Sequence, residues 1–232
     1  MNIFYSYNIQ SHIIRLDKVE TNHCIKVLRN NIGDEVLVTD GMGFLYTCII
    51  KEVKNKYAFL EIIKKKENKK KYFVHIAISP IKNHERLEWF VEKAVEIGID
   101  KISFIKCERT LRKNIRMTRL KKIAITAMKQ SLKTKIPVID SMINIEDFLK
   151  SCNTDNRFIC YLRKDKSHMF DKKIHKDRDI CILIGPEGDF SNKEVDLALS
   201  EKFQTLSLCD NRLRTETAGI IACHLANIVI NK

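Results

Sequence analysis

Two strand-to-helix transitions near the C-terminus carry the residues whose types and spacing could do chemistry. In the first, the uncharged run Cys181–Ile184 ends at Gly185–Gly188, and a polar helix start follows. In the second, Thr205–Leu208 leads through a polar loop into Leu213–Thr217, which reads Leu-Arg-Thr-Glu-Thr. Ligands of open α/β sheets bind outside the carboxyl ends of the strands. We therefore predict that these two transitions form the functional site.

The first turn favours a ligand without phosphate groups. Its glycines let the backbone turn sharply and approach a ligand, but it has neither a Gly-Lys-Ser/Thr phosphate loop nor a GxGxxG dinucleotide turn. Glu187 and Asp189 would repel phosphate. A neutral or cationic ligand with hydroxyl groups fits better, and the sulfonium cofactor S-adenosylmethionine (SAM) is one. The alternative is an ordinary turn between a strand and a helix that binds no ligand, and its sequence could look the same.

The helices that follow the two turns are well marked. Ser191 and Glu194 have capping-box spacing, so we expect a helix to begin there. Residues 218–230 are apolar almost all round, which predicts a helix buried in the core or against another subunit. At the start of that helix, Arg214 and Glu216 could act on a substrate or simply form an ion pair.

The composition indicates an anionic partner. The 232 residues suit one large domain or two small ones, and 42 Lys and Arg against 29 Asp and Glu give a formal charge of +13. Nucleic acid is the first candidate partner and an anionic membrane surface the second. The eight Cys form no CxxC pair and no zinc-finger spacing, so we expect free thiols in a reducing cytoplasm and no metal. No apolar run approaches the length of a membrane span.

Residues 1 to about 66 are predicted to be rich in β-strands. Val36–Thr39 and Phe44–Ile50 form a predicted hairpin, Tyr57–Ile63 a third strand, and His23–Arg29 a short helix, which together suggest a small barrel. Lys64–Lys71 contains no apolar residue, so we place the domain boundary there. We interpret it as a solvated linker in preference to a dedicated RNA clamp.

From Tyr72 onward, strands and helices alternate, which predicts a mostly parallel sheet covered on both faces. The predicted strands and helices are Tyr72–Ile78, Arg86–Ile97, Lys101–Lys106, Arg119–Lys133, a helix from Ile145, and Arg157–Leu162.

The motifs of the chain, taken in order, resemble the RsmE family of ribosomal RNA methyltransferases. The C-terminal matches are the Gly-Pro-Glu-Gly turn, Phe190-Ser191, Glu194 and the Leu-Arg-Thr-Glu-Thr-Ala run. The earlier matches are His23, Val27–Arg29, Gly33-Asp34, Asp40-Gly41, Lys82, Arg86, Glu88, Lys93–Gly98, Ala127, Gln130-Ser131 and Pro137.

The resemblance implies a fold, an activity and partners. The expected fold is α/β of SPOUT type, with a parallel sheet and a C-terminal trefoil knot in residues 72–232. A small PUA-like β-barrel that binds RNA is expected in residues 1–68. The implied activity is SAM-dependent methylation of N3 of a uridine in small-subunit (16S) ribosomal RNA, by a homodimer.

Three sets of site residues are predicted on this basis. Arg214 and Glu216 are the expected catalytic residues. The expected cofactor-binding residues are Leu162, Ile184, Gly185, Pro186, Gly188, Leu206, Leu208, Leu213 and Thr217. The expected RNA-binding residues are Lys26, Arg29, Arg86, Lys93, Arg112, Lys113 and Lys133.

The chain departs from the family pattern at a few positions, and two other functions stay open. Asp189 stands where a second glycine is usual, Cys209 where glycine precedes the last loop, and Asn211 where many members have arginine. Near the N-terminus, Asn2 and Ile3 stand where the family usually has arginines. A non-catalytic RNA-binding module for ribosome assembly is one alternative, and a SPOUT methyltransferase acting on tRNA ribose is the other.

Overall fold

The computed structural model describes residues 2–161, 168–169 and 178–230. The chain divides into two compact units. One comprises Met1–Lys69 with Ile125–Ile136, and the other comprises Lys70–Ala124 with Pro137–Lys232.

The N-terminal unit is built on a six-stranded sheet with the strand order β1-β4-β5-β6-β3-β2. β1 and β4 pair in parallel and the other pairs are antiparallel. The predicted small barrel is confirmed in part: within the described residues β1 and β2 are open edges, so the sheet curls into a half-barrel. The strands are β1 (Ile3–Tyr5), β2 (Ile9–Gln10), β3 (Ile13–Arg15), β4 (Glu35–Thr39), β5 (Phe44–Lys54) and β6 (Tyr57–Glu67).

The lysine run after residue 63 is partly strand, contrary to the predicted linker. β6 continues to Glu67, and its last residues pair with the start of β5, with Lys65 opposite Tyr46. The ammonium of Lys65 lies 3.9 Å from the ring centroid of Phe44. Backbone pairing and this cation–π contact stabilise the strand. The lack of apolar residues had predicted a linker instead.

The predicted helix at His23–Arg29 has an unusual geometry. α1 (Lys18–Asn22) is capped by Asp17, whose side chain accepts the Glu20 N–H at 2.8 Å. The chain then continues as a π-helix over His23–Val27, in which the Leu28 N–H donates to the His23 carbonyl at 2.9 Å. π-helical turns are rare and are found frequently at functional sites.

The C-terminal unit contains a parallel sheet of seven strands in the order β11-β13-β10-β12-β7-β8-β9. Its strands are β7 (Val74–Ile78), β8 (Lys101–Lys106), β9 (Val138–Asn144), β10 (Asn156–Cys160), β11 (His168–Met169), β12 (Ile180–Ile184) and β13 (Gln204–Ser207). The remaining helices of the chain are α2 (His84–Ile97), α3 (Met117–Gln130), α4 (Ile145–Ser151), α5 (Asn192–Ser200) and α6 (Thr215–Ile230). β9 has no counterpart among the predicted strands.

The register of the central strands brings the two C-terminal turns together. All five residues of β12 are buried, as expected for a strand covered on both faces. Cys160 at the end of β10 lies opposite both Ile184 of β12 and Leu206 of β13. The turns that follow β12 and β13 therefore leave the same edge of the sheet, at its carboxyl end.

α6 packs against α2, β7 and β12 through one of its faces. The side chains of Ala222 and Ala226 are fully buried there, and Gly219 lies so close to Phe90 that a Cβ atom would stand 2.6 Å from its ring. The other face leaves Ile228 37% exposed. No helix among the described residues has the length and apolar character needed to cross a membrane.

Candidate active site

A cavity of about 340 Å³ lies at the carboxyl ends of β10, β12 and β13. The turn after β12 forms one wall, and the loop that joins β13 to α6 forms the opposite wall. Arg86 of α2 and Tyr161 after β10 complete the lining. The lining residues are Arg86, Cys160, Tyr161, Ile184 to Glu187, Asp189, Leu206 to Cys209, Asn211 to Glu216, and Ala218.

The first wall is a tight turn held in place by its neighbours. The Asp189 N–H donates to the Pro186 carbonyl at 2.9 Å, and the Lys82 N–H donates to Glu187 Oε1 at 2.9 Å. Arg109 Nη1 donates to the Gly188 carbonyl at 2.7 Å. These bonds fix the turn from both ends and from outside, so its backbone reaches the cavity in one defined conformation.

The helix after this turn begins as the sequence predicts. Ser191 and Glu194 form the capping box, with the Ser191 N–H donating to Glu194 Oε2 at 2.8 Å. Glu194 also accepts the Glu108 N–H at 2.7 Å. The capping residue therefore ties the start of α5 to the segment that follows β8 as well as to its own helix.

The two walls are connected by a hydrogen bond. Thr215 Oγ1 donates to the Gly185 carbonyl at 3.2 Å, and Thr215 is buried. The Ala218 N–H donates to the Arg214 carbonyl at 2.8 Å, so Arg214 is the residue from which α6 starts. The Arg214 side chain lines the cavity and is exposed, and it makes no hydrogen bond or ion pair within the described part of the chain.

Glu216 pairs with an arginine of another helix. Its Oε1 lies 3.5 Å from Arg86 Nη1, and its side chain is only 8% exposed. The sequence suggested that Arg214 is its partner, because the two residues are close neighbours in the chain. The structure pairs Glu216 with Arg86 instead and leaves Arg214 available at the cavity.

Most of the predicted cofactor-binding residues lie at this cavity. Ile184, Gly185, Pro186, Leu206, Leu208 and Leu213 line it. Gly188 and Thr217 each lie between two lining residues without lining the cavity themselves. Leu162 lies outside the described residues.

Sequence reasoning missed several lining residues, among them Cys160, Tyr161, Asp189 and Arg212. Cys160 and Tyr161 lie at the end of β10, which pairs with both β12 and β13. This position would have predicted their place at the cavity, but the strand order is not known from the sequence. Asp189 stood out in the sequence as an acid that disfavours phosphate and as a departure from the family pattern, and Arg212 lies in the polar loop without a signal of its own.

The predicted RNA-binding residues are divided between the two units and differ in their surroundings. Lys26 and Arg29 are exposed in the N-terminal unit, and Lys133 is half-buried there. In the C-terminal unit, Arg86 and Lys113 are exposed. The Lys93 ammonium donates to Glu92 and Glu96, at 2.8 Å each, and these hydrogen bonds raise the pKa of Lys93.

Arg112 is occupied within its own unit. It is nine-tenths buried, and its Nε donates to the Ile81 carbonyl at 2.6 Å. The rest of the guanidinium bonds the Lys82 carbonyl and the His84 ring. The planar group thus organises the segment before α2. Because its donors are engaged there, Arg112 is not part of the RNA surface that we propose.

Other titratable groups of the described chain do not form a metal site. No cluster of three His, Cys, Asp or Glu side chains that could hold a metal ion occurs in residues 2–161 and 178–230. No disulfide bond joins the cysteines of the described residues, and burial raises the pKa of the cavity-lining Cys160 thiol well above its usual value. Cys160 therefore lines the cavity as a neutral, weakly polar group.

Comparison with known proteins identifies the family. The RNA methyltransferase domain family matches residues 67–227. The chain belongs to this family. The PUA domain of RNA methyltransferases matches residues 16–63, so the half-barrel is a PUA domain.

Individual relatives cover almost the whole chain. Ribosomal RNA small subunit methyltransferase E of Rickettsia conorii is 30% identical over 210 residues, which cover 86% of this chain and 83% of the relative. A probable rRNA methyltransferase from Porphyromonas gingivalis has a similar crystal structure, with 38% identity, a TM-score of 0.92, and coverage of 100% and 99% of the two chains. A Legionella pneumophila methyltransferase, solved with bound SAM, has 25% identity and a TM-score of 0.85, covering 97% and 96%.

Proposed function

We propose that this protein transfers a methyl group from SAM to N3 of a uridine in small-subunit ribosomal RNA. The observation that carries the proposal is the cavity at the carboxyl ends of β10, β12 and β13. It combines an apolar wall for a cofactor with Arg214, an arginine that has no partner in the described chain, for a substrate. The relatives named as small-subunit methyltransferases support the choice of RNA.

The residues of the cavity fit SAM. A volume of about 340 Å³ is within the range of roughly 300–1,000 Å³ typical of small-molecule sites. Ile184, Pro186, Leu206, Leu208 and Leu213 offer apolar surface to an adenine ring, and the turn backbones offer polar groups to its edge. Bound there, SAM supplies an electrophilic methyl group on a sulfonium.

Arg214 is the residue that we propose acts on the uracil. Uridine N3 carries a proton and must lose it before or during attack, which leaves negative charge on the ring and its two oxygens. A guanidinium held beside the cavity stabilises such charge, because its N–H donors are already in place when the charge develops. Arg214 suits this role, since it projects from the start of α6 without a partner in the described chain.

Glu216 and Arg86 are proposed to complete the substrate side of the site. The nearly buried Glu216 carboxylate is held by Arg86, so its position beside the cavity is fixed by the contact between α2 and α6. A fixed carboxylate can accept a hydrogen bond from the N3 proton of an incoming uracil or take part in its removal. N3 is paired or stacked in duplex RNA, so the target base must be unpaired or flipped out.

The remaining expectations belong to the same proposal. We propose that residues 1–68 form the RNA-binding domain and that residues 72–232 form the SPOUT methyltransferase domain with a trefoil knot. Lys26 and Arg29 on the first, and Arg86 and Lys113 on the second, are proposed RNA contacts, because all four are exposed cations. Ribosomal RNA as substrate implies action in the cytoplasm.

A homodimer is also proposed. It is supported by the outer face of α6, where the apolar Ile228 remains 37% exposed and Ile221 and Leu225 are partly exposed. Such a face is buried when a second copy packs against it.

Two measurements on the purified protein test the activity. Calorimetric titration with SAM should show binding in the micromolar range, and labelled SAM should transfer its methyl group to small ribosomal subunits that lack the modification. Transfer to tRNA alone would instead support the tRNA alternative. Absence of SAM binding would favour the non-catalytic RNA-binding alternative.

A further inference from the structure

The carboxylate of Asp189 lies at the wall of the cavity and takes no part in the proposed methyl transfer. Its Oδ1 accepts the Phe190 N–H at 2.8 Å. Within the described part of the chain it makes no ion pair, and the cavity is the open space beside it. The other carboxylate oxygen therefore has no hydrogen-bond donor from the residues that the structure describes.

The backbone at Asp189 is held in a conformation that most side chains avoid. Its φ is +63°, in the left-handed region, which aspartate tolerates better than most residues but less well than glycine. The turn bond to Pro186 and the contact of Arg109 with Gly188 hold this conformation in place. Strain of this kind persists where the surroundings over-determine it, and it is common at ligand sites.

Charges and burial act on this carboxylate in opposite directions. Burial raises the pKa of Asp189, while the Phe190 N–H and the positive charges of Arg212 and Arg109 oppose the shift. A carboxylate that has lost part of its water needs hydrogen-bond donors in exchange. Neither arginine forms a hydrogen bond or an ion pair with it, so a ligand in the cavity is the natural source of those donors.

We propose that Asp189 is a cofactor-binding residue whose carboxylate accepts hydrogen bonds from a donor group of SAM. The cofactor has two groups with this chemistry, the ribose hydroxyls and the ammonium of the methionine portion. This inference rests on the proposed function, and it adds a specificity-determining side chain to the wall that the turn after β12 forms.

The test compares SAM binding by the native protein with binding by Asp189→Asn. Asparagine keeps the shape, tolerates positive φ and can still accept the Phe190 N–H, but it loses the charge. Because hydrogen bonds to charged groups are among the stronger ones, we expect the Kd for SAM to rise about tenfold or more. Asp189→Gly, which suits the backbone without strain, should weaken binding to a similar degree.

Asp210→Asn is the matched control, because Asp210 is an exposed acid in the second loop that does not line the cavity. Its Kd for SAM should equal that of the native protein. Thermal unfolding of each variant separates loss of binding from loss of fold. Methylthioadenosine, which lacks the ammonium-bearing portion, distinguishes the two donor groups. A tenfold loss for this ligand as well places Asp189 on the ribose, and no loss places it on the ammonium.

An unchanged Kd for SAM in folded Asp189→Asn would overturn the inference and leave the proposed function intact. Absence of SAM binding by the native protein would instead count against the proposed function itself. The two failures are therefore distinguishable in one set of titrations.

Discussion

Arg214 is the residue on which the proposed chemistry depends most. Three arginines among the described residues line the cavity, and they differ in what they contact. Arg86 is paired with Glu216, Arg212 contributes its charge to the surroundings of Asp189, and Arg214 remains unpaired within the described chain. An unpaired guanidinium at the start of a helix can turn its donors toward a substrate without breaking an existing contact.

Replacing Arg214 with alanine should abolish methyl transfer while leaving cofactor binding largely intact. Removing one donor that stabilises developing charge costs about 10²–10³ in rate. The measurement is single-turnover methylation of small subunits beside titration with SAM. Arg214→Lys, which retains the charge and loses the planar fork, should restore part of the rate. A methylation rate of Arg214→Ala equal to that of the native protein would show that the guanidinium does not act on the reaction.

His75 makes the stability of the protein sensitive to mild acid. It lies on β7, its Nε2 is 2.9 Å from Ser103 Oγ, and Ser103 Oγ donates to Asp140 Oδ2 at 2.8 Å. Burial, reinforced by the charge of Lys101, lowers the pKa of His75 to about 4. The unfolded chain, with a pKa of about 6.5, takes up the proton first. Stability is therefore greatest above that value and is lost as the pH falls from about 6.5 toward 4.

The His75→Gln variant isolates this effect. Between about pH 7 and about pH 5, the free energy of unfolding of the native protein should fall by about 2 kcal/mol more than that of the variant. Urea unfolding at several pH values measures both. Parallel curves for the two proteins would mean that the histidine titrates normally in the fold.

At the level of single elements, the close approach of α6 to α2 depends on Gly219. A Cβ atom there would stand 2.6 Å from a Phe90 ring carbon and 3.1 Å from Ile78 Cδ1. Both neighbours are fully buried and have little room to move. The glycine thus has a packing role in a helix whose propensity would otherwise favour alanine.

Gly219→Ala should destabilise the protein despite its better helix propensity. Overpacking a filled core costs about 1–3 kcal/mol, and the gain in propensity offsets up to about 1 kcal/mol of that. Urea unfolding measures the net loss. Lys193→Ala on the exposed face of α5 is the control and should change stability by less than about 0.5 kcal/mol. A stabilised Gly219→Ala variant would show that α6 can shift away from α2.

Some helices and strands of the C-terminal unit could be predicted from the sequence. These are the ones whose structure depends on residues close together in the chain. β8 occupies Lys101–Lys106 as predicted, because Ile102, Phe104 and Ile105 are apolar and lie within six consecutive residues between two lysines. The capping box at Ser191 was also correct, since a cap depends on residues within one turn. β9 was missed because Asp140, Ser141 and Asn144 give Val138–Asn144 a polar appearance.

What depends on distant partners could not be predicted. The lysines at the end of β6 are in a strand because β5 pairs with them and Phe44 contacts Lys65. The pairing of Glu216 with Arg86 joins residues 130 positions apart, while the local pattern pointed to Arg214. Asp189 lines the cavity with its backbone at positive φ, a conformation that the local sequence does not specify. The position of the cavity was predictable, but the charge partners of its residues were not.

For the molecule as a whole, the formal charge of +13 is available for RNA binding. If Lys26 and Arg29 contact phosphates, log affinity for a ribosomal RNA fragment should fall with log salt concentration. Each contact contributes a slope of roughly −0.7 to −0.9. Replacing both residues with alanine should therefore make the slope less steep by about 1.4–1.8. Filter binding over a range of salt concentrations measures it.

Lys93→Ala serves as the control for that experiment, because its ammonium is already engaged by Glu92 and Glu96. We expect a smaller change in slope for this variant. If the loss of Lys26 and Arg29 leaves the slope unchanged, these two residues do not contact RNA phosphates.

The most direct test of the central claim is the methylation state of ribosomal RNA in cells with and without this gene. Mass spectrometry of nucleosides from the small-subunit RNA, followed by mapping of the modified position, gives the answer. We predict that 3-methyluridine is lost from one position in the deletion strain and is restored by the native gene but not by Arg214→Ala. An unchanged level of 3-methyluridine at every position of that RNA would contradict the account.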